Sequence, residues 1–257
     1  VEPAHATLAH QPQNLFHVLR NRDVPREVLQ LYAAASPAAG GGRVILKLVQ
    51  HSAADLTAHY GGELGYAGEA AGGLAQLQRR LDGLRQTLFL EQILQLGLRE
   101  GMKVGDFGAG SGHYSRAAAP IVGHSGKVYA VDVQEDILKH LKLNTHEQHQ
   151  RVISTVWGDI EKPGGTHLRD QSLDAVILAN ALFQIENRFG LLGEIRRVLK
   201  SGGKLLVIDW AGSYGGMGPV MEKVVSEHEA EGFFINGGFH KVKSFRAGPH
   251  HYGIVFT

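Results

Sequence analysis

Three glycines at alternate positions follow a short apolar segment near the middle of the chain. The segment reads Val104-Gly-Asp-Phe-Gly-Ala-Gly-Ser-Gly112 and contains Gly108, Gly110 and Gly112. Glycine has no Cβ and tolerates positive φ, so such a turn lets the backbone approach a bound ligand closely. The N–H groups at the start of a following helix then point at that ligand. The spacing differs from the dinucleotide fingerprint Gly-x-Gly-x-x-Gly, which favours a nucleoside-like ligand over a pyrophosphate.

Acidic residues close the next two apolar segments. Asp132 ends the segment 126–132, and Asp159 follows the segment 152–157. In doubly wound folds, an acid at the end of the second strand accepts hydrogen bonds from ribose hydroxyls. Asp132 is therefore a candidate ligand of a ribose, and Asp159 is a second acid that follows an apolar segment. Each also fits a structural alternative, since aspartate commonly caps helices and turns.

Five near-continuous apolar segments alternate with segments of helical character. Strands are predicted over 102–107, 127–132, 152–156, 173–179 and 203–209, and helices over 112–119, 135–143, 187–199 and 218–231. Uninterrupted apolar strands are typical of a parallel sheet that is buried on both faces. Two alternating segments, 239–245 and 252–256, predict an antiparallel hairpin that closes the sheet.

With these blocks in this order, the chain resembles the class I S-adenosylmethionine-dependent methyltransferases. It is most similar to the methyltransferase-domain group that includes the ubiquinone/menaquinone C-methyltransferases. The resemblance covers residues 88–257 and rests on five blocks of the sequence: 106–112, 129–132, 158–159, 173–177 and 198–205. It implies an α/β fold with a doubly wound, mostly parallel seven-stranded sheet, a C-terminal antiparallel hairpin, and S-adenosyl-L-methionine as the cofactor.

The resemblance also implies which residues hold the cofactor. The glycine loop would approach the methionine part, Asp106 would orient its amino group, and Asp132 would bind the ribose. Asp159 would accept from the adenine amine, and Asn180 would lie beside the transferred methyl group. The full set of cofactor-binding candidates is Asp106, Gly108, Ala109, Gly110, Gly112, Asp132, Val133, Gly158, Asp159 and Asn180.

No catalytic residue is assigned from the sequence, but four candidates are named. They are His250, His251 and Tyr252, in a hairpin that can border the substrate pocket, and Asn180 after the fourth strand. A general base among them would accelerate transfer to an acceptor that carries a proton. No metal site is expected, because two adjacent histidines on a strand point to opposite faces.

The residues that the chain lacks narrow the class of acceptor. The sequence contains no cysteine, which argues against cytosine-C5 and arsenite methylation, since both rely on thiolates. The fourth strand is followed by Asn180-Ala-Leu-Phe183 rather than by an Asn/Asp-Pro-Pro-Tyr/Phe motif, which disfavours methylation of adenine N6 or of amide nitrogens. Small metabolites, lipid or quinone precursors and protein side chains remain.

Charge and length set the remaining expectations. The 257 residues include 26 basic and 25 acidic side chains, so the net charge of +1 gives no strong signal for nucleic acid. No apolar stretch is long enough to cross a membrane, and we expect a soluble, cytoplasmic protein, with an organellar matrix left open.

Residues 1–87 are predicted to be a mainly helical extension that acts as a lid or as a docking arm for a partner. Two alternatives stay open: a non-catalytic scaffold that kept the fold, and an RNA- or ribosome-associated methyltransferase.

Overall fold

The computed structural model of the chain describes residues 88–147, 151–214 and 218–257. The predicted extension over residues 1–87 lies outside the described residues, so its helical character and its role stay predictions. Within the described ranges, no helix has the length and apolar character needed to cross a membrane.

Helices and strands alternate along the described part of the chain. Residues 88–94 are helical and are called α1. The elements that follow are β1 Lys103–Phe107, α2 His113–Val122, β2 Lys127–Asp132, α3 Glu135–Glu147, β3 Ile153–Trp157, β4 Leu173–Ala179, α4 Arg188–Val198, β5 Leu199–Trp210, α5 Glu227–Asn236, β6 Lys241–Arg246 and β7 His251–Phe256. Two short 3₁₀ turns, Leu182–Gln184 and Met221–Lys223, follow β4 and β5.

The seven strands form one sheet in the order β3-β2-β1-β4-β5-β7-β6. The first five strands are parallel, and β7 pairs antiparallel with both β5 and β6. This confirms the predicted mostly parallel sheet with a C-terminal antiparallel hairpin. The chain order reverses between β1 and β4, and ligands of such sheets bind at the carboxyl ends of the strands at this point.

Helices cover both faces of the sheet, which explains why its central strands are largely apolar. On one face, β-strand residues such as Val104 and Ile177 are buried together with residues of α1, α2 and α3. On the other face, Phe107 and Leu178 are buried with residues of α4 and α5. Two faces of apolar burial leave only the strand ends open to polar chemistry.

One helix begins later than the sequence predicted. The predicted helix 218–231 is instead a 3₁₀ turn followed by α5, which begins at Glu227. Ser226 precedes α5 and forms a capping box with Glu229, in which each side chain bonds the other residue's backbone N–H. This reciprocal cap satisfies two backbone donors and so outweighs Pro219 as the start of the helix.

A buried carboxylate holds the loop between β3 and β4 against α4. Glu194 is fully buried and accepts hydrogen bonds from the backbone N–H groups of Gly164 and Thr166 and from the Thr166 hydroxyl. Arg197 pairs with the same carboxylate. Burial alone would raise the pKa of Glu194, but the bonds to Arg197, Thr166 and Gly164 together lower it to about 2.

Replacing Glu194 should therefore destabilise the fold in a pH-dependent way. We expect Glu194→Gln to lower the free energy of unfolding by about 2–4 kcal/mol at pH 7, because the variant loses the buried ion pair with Arg197, which keeps its exposed charged partner Asp170. The folded-state pKa of Glu194 lies below the ordinary value of 4.5. The difference in stability between the two proteins therefore has its full size above pH 4.5 and shrinks as the pH falls toward 2. Urea unfolding at several pH values measures both quantities.

Glu231→Gln is the matched control, because Glu231 forms a partly exposed ion pair with Lys241. A pair of this kind contributes about 0–1 kcal/mol. Equal losses in the two variants would contradict the role given to Glu194.

Candidate functional site

The glycine loop after β1 is tied to β2 through its backbone. The N–H groups of Gly108 and Ala109 both donate to the Val131 carbonyl, at 2.9 and 3.0 Å. Gly108, Gly110 and Gly112 have φ values of 71°, 51° and 77°, in the left-handed region that favours glycine. The alternating glycines are therefore required by the path of the loop.

The space around the three glycines differs, and this separates their roles. A Cβ on Gly112 would lie 2.3 Å from Leu141 Cδ1 of α3, so Gly112 serves helix packing. A Cβ on Gly108 would lie 3.4 Å from the Ala181 Cβ, an ordinary contact. A Cβ on Gly110 would meet nothing within 4 Å, so it would project into open space at the carboxyl edge of the sheet. Gly110 is the position at which the backbone is open to a ligand.

Asp132 is oriented by this loop. Its two carboxylate oxygens accept hydrogen bonds from the N–H groups of Gly110 and Gln134, each at 2.9 Å. A carboxylate has about four acceptor positions, so lone pairs remain for ligand hydroxyls. The next residue, Val133, is 57% exposed, and its carbonyl accepts from the Trp157 indole N–H. Together these residues form the β2–β3 side of the site.

Asp106 is a buried carboxylate beneath the same loop. The Ser115 hydroxyl of α2 donates to it at 2.6 Å. Burial raises its pKa to about 6, against the lowering effect of the hydrogen bonds from Ser115. The Asp106 carboxylate can bind a cation, because a positive charge beside it would favour its ionised form.

Gly158 and Asp159 are already engaged within the chain. The Gly158 N–H donates to the Asp132 carbonyl, and a Cβ on Gly158 would collide with the Gly165 carbonyl. The Asp159 carboxylate accepts from the Glu161 N–H and pairs with Lys162, and these two interactions lower its pKa. Both residues hold the β3–β4 loop, and their predicted contact with adenine stays a prediction.

Asn180 and Asp209 shape the β4–β5 side. Asn180 adopts the left-handed conformation at φ 55°, and its N–H donates to the Ile208 carbonyl. Asp209 accepts from the N–H groups of Leu182 and Trp210, both at 2.8 Å, and thereby fixes the turn after β4. Burial raises the pKa of Asp209 to about 6.

Four aromatic or imidazole rings meet where β5 ends and β7 begins. The His251 ring lies 4.2 Å from Trp210, and the His250 ring lies 4.1 Å from Tyr214, measured between centroids. Burial lowers the pKa of both histidines, that of His251 to about 4, so the two imidazoles are uncharged at pH 7. We call these four residues the ring cluster.

Buried polar atoms without a partner concentrate at this edge. Among the described residues they are Asn180 Oδ1, His250 Nδ1 and His251 Nε2. An unsatisfied buried polar atom costs about 1–3 kcal/mol, so each would gain by bonding to a ligand. Asn180 directly follows β4, and the two histidines lie at the start of β7. Both strands pair with β5, so the three atoms lie on either side of it.

Tyr252 lies on the opposite face of the sheet from His251. Its side chain is buried with the α4–α5 face, and its hydroxyl donates to the Val225 carbonyl at 3.0 Å. Burial and nearby carboxylates raise its pKa. The structure thus gives this candidate a structural contact away from the ring cluster.

Three residues near the site were not singled out by the sequence. Phe89 and Gln92 of α1 reach Tyr114 at the start of α2, and Gln92 also reaches the β6–β7 turn. No motif marks these residues. Asp209 was also passed over, although an acid at the end of a buried strand is the signal that identified Asp132.

Comparison with known proteins gives one matching family and several similar chains. Residues 105–207 match the family described as "Methyltransferase domain". A ubiquinone/menaquinone biosynthesis C-methyltransferase, UbiE of Bordetella avium (strain 197N), is 33% identical over 129 residues, which are 50% of this chain and 49% of the relative. The chain thus spans about half the length of the curated relatives it matches. Among solved structures, a SAM-dependent methyltransferase from Aquifex aeolicus superposes with a TM-score of 0.61 at 28% identity, covering 69% of this chain and 95% of the other.

Residues 105–207 form a methyltransferase domain, and its fold is that of the class I S-adenosylmethionine-dependent methyltransferases. The sequence resemblance is thereby confirmed, and S-adenosylmethionine is the cofactor of this domain. The site fits that cofactor, because Gly110 leaves open space where a nucleoside can approach, and the Asp132 carboxylate beside it can accept from two hydroxyls. The individual contacts of the methyltransferase domain with its cofactor stay predictions.

The different surroundings of Gly110 and Gly112 predict different effects of the same substitution. Gly110→Ala should cost about 1–2 kcal/mol of stability for its left-handed backbone, and its new methyl group should lower the affinity for S-adenosylmethionine. Gly112→Ala adds a collision with Leu141, so we expect it to cost about 2–5 kcal/mol and to change the affinity of the folded protein less. Urea unfolding and calorimetric titration separate the two effects. The reverse order of affinities would contradict the assignment.

Proposed function

We propose that this chain transfers a methyl group from S-adenosylmethionine to a small acceptor that binds against the ring cluster. The observation that carries the proposal is the position of Gly110, Asp132 and Asp106 on one side of the carboxyl edge and of the unpartnered polar atoms on the other. One side suits the nucleoside and amino-acid parts of the cofactor. The other is left for the acceptor.

The cofactor-binding side uses charge and backbone geometry. Asp132 accepts from the ribose hydroxyls, and the loop N–H that already bonds its carboxylate keeps it in place. Asp106 faces the amino group of the methionine part, where a positive charge offsets the cost of its burial. Gly110 lets the ligand reach the backbone, because a side chain there would occupy the open space.

The acceptor side carries aromatic rings and two uncharged imidazoles, and the Arg246 guanidinium lies near His250. Trp210 and Tyr214 offer ring surfaces, and the two imidazoles add nitrogen atoms that can bond a hydroxyl or an amine. Because the pKa values of His250 and His251 are lowered, neither carries a charge at pH 7 to attract an anion. The ring surfaces of Trp210 and Tyr214 favour a small acceptor with an apolar ring.

The chemistry asked of the protein is chiefly alignment. When bound, S-adenosylmethionine supplies a methyl carbon whose bond to sulfur breaks as the electron pair of the acceptor atom bonds to it. Holding the acceptor atom in line can contribute on the order of 7–11 kcal/mol. The His251 imidazole, with a pKa of about 4, is a weak base, so it orients the acceptor by a hydrogen bond and passes any released proton on to water.

The name of the curated relatives supports this class of acceptor. They are ubiquinone/menaquinone biosynthesis C-methyltransferases, and two of them are 33% and 31% identical to this chain over 129 residues. A ring-bearing acceptor methylated at carbon is therefore consistent with the ring cluster. A protein side chain as acceptor, a non-catalytic scaffold and an RNA acceptor are the outcomes that the experiments below separate.

Removing the charge of Asp132 should weaken cofactor binding without unfolding the domain. We expect Asp132→Asn to lower the affinity for S-adenosylmethionine by about 10- to 100-fold, the effect of one or two hydrogen bonds to a charged group. Calorimetric titration of the full chain measures this change. The matched control is Asp174→Asn at the opposite edge of the sheet, where the carboxylate pairs with Lys200. Failure of the unaltered chain to bind S-adenosylmethionine would favour the scaffold alternative.

The acceptor class can be tested by following the methyl group. We expect label from S-adenosylmethionine carrying a tritiated methyl group to enter the organic-soluble small molecules of a cell lysate, rather than its protein or its RNA. His251→Asn should reduce this transfer about fivefold, the equivalent of one ordinary hydrogen bond, while the affinity for S-adenosylmethionine stays within about twofold.

His240→Asn is the control for the imidazole. His240 lies at the opposite edge of the sheet, where its backbone pairs with Thr257. Label found in protein or in RNA would contradict the small acceptor and identify the other class, and equal transfer by the two variants would contradict the role of His251.

A further inference from the structure

Gln92 of α1 makes two hydrogen bonds to segments that are far apart in the chain. Its side-chain Nε2 donates to the Ala247 carbonyl at 3.0 Å, and its Oε1 accepts from the Tyr114 hydroxyl at 2.7 Å. The orientation of the amide is determined by chemistry, because a carbonyl oxygen can only accept and so must face the amide nitrogen. Gln92 thus bridges α2 and the turn between β6 and β7.

The first end of this bridge lies at the glycine loop. Tyr114 is the second residue of α2 and follows Gly112 by two positions. Phe89, one turn before Gln92, stacks on His113 and contacts Tyr114 edge-on, both with ring centroids 4.9 Å apart. Burial and the charges of Asp106 and Asp209 raise the pKa of Tyr114, so its hydroxyl stays protonated and keeps donating.

The second end lies at the acceptor side. Ala247 follows β6, and its N–H donates to the His251 carbonyl at 3.0 Å. The next strand residue after the turn, His251, belongs to the ring cluster and pairs with Trp210 of β5. The residue held by Gln92 is therefore one hydrogen bond away from the backbone of His251.

We propose that Gln92 is a positioning residue that couples the glycine loop to the β6–β7 turn, so that cofactor binding orders the acceptor side. This inference rests on the proposed function, because it assumes that the glycine loop binds the cofactor. Ordering of the loop fixes the start of α2 and with it the Tyr114 hydroxyl. Gln92 passes the restraint to Ala247, and the Ala247 N–H passes it to the strand that carries His251.

The proposed path connects the glycine loop after β1 with the turn before β7, and these two strands are not neighbours in the sheet. The sheet places β4 and β5 between β1 and β7, so the strands themselves provide no direct bond from the glycine loop to the hairpin. α1 and the turn that follows it lie on the same face of the sheet as α2, and their residues Ile93 and Leu96 are buried there. A side chain of α1 is thus well placed to connect the two halves of the site.

Hydrogen–deuterium exchange with S-adenosylhomocysteine as the probe tests the coupling. In the full, unaltered chain, we expect the probe to slow exchange of the amides in residues 108–112 and also in residues 247–251. The slowing at the second segment should be about fivefold, the equilibrium effect of one ordinary hydrogen bond. Tandem fragmentation that resolves the two segments provides the measurement.

Two variants of Gln92 and one matched control isolate the bridge. Gln92→Leu removes both bonds, and Gln92→Glu keeps the acceptor for Tyr114 but has no donor for Ala247. Both variants should retain the slowing at 108–112 and lose the slowing at 247–251. Gln95→Leu makes the same change three residues later in the chain, where the side-chain amide donates to the nearby Glu91 carbonyl. This variant should behave as the unaltered chain does.

The outcomes separate this inference from the proposed function. No slowing at 108–112 in the unaltered chain would overturn the proposed cofactor site and the coupling with it. Slowing at 108–112 without slowing at 247–251 would overturn the coupling alone. Slowing at both segments that persists in Gln92→Glu would show that the signal travels by another route. If Gln92→Leu lowers the overall stability, Gln92→Glu, which retains the bond to Tyr114, decides the question.

Discussion

The hydrogen bond from the Gly110 N–H to the Asp132 carboxylate joins the two strands on which the site depends. It links the turn after β1 to the end of β2, at 2.9 Å. Parallel strands end at a common edge, and each turn that leaves this edge must find partners for its backbone groups. The side chains that serve the glycine loop and the turn after β4 are Asp132 and Asp209. The acids that position these backbone groups thus lie at the edge of the sheet where the parallel strands end.

The succession of strands along the chain and the glycine loop could be predicted because they depend on local patterns. Continuous apolar segments indicate buried parallel strands, and glycines at alternate positions indicate a left-handed turn. The separate roles of the three glycines could not be predicted in the same way. Gly112 is required by Leu141, which lies 29 positions further along the chain, and only the packing of α2 against α3 brings the two together. The sequence alone offered no distinction between Gly110 and Gly112.

The contacts among the residues of the acceptor side were harder to predict from the sequence. His250 and His251 could be named because the hairpin was predicted, but their ring partners Trp210 and Tyr214 belong to a different segment. Tyr252 was grouped with them, although strand alternation places it on the other face. Gln92 carries no signal in the sequence, because its importance comes from partners 22 and 155 positions away.

The raised pKa of Asp106 has a consequence for the thermodynamics of binding. A carboxyl group with a pKa of about 6 in the ligand-free domain is partly protonated in mildly acidic solution. A cation placed beside it favours the ionised form and so lowers that pKa. Binding of a positively charged ligand then expels a proton, and the association becomes weaker as the solution becomes more acidic. The buried acid thus links occupancy of the site to the proton concentration around it.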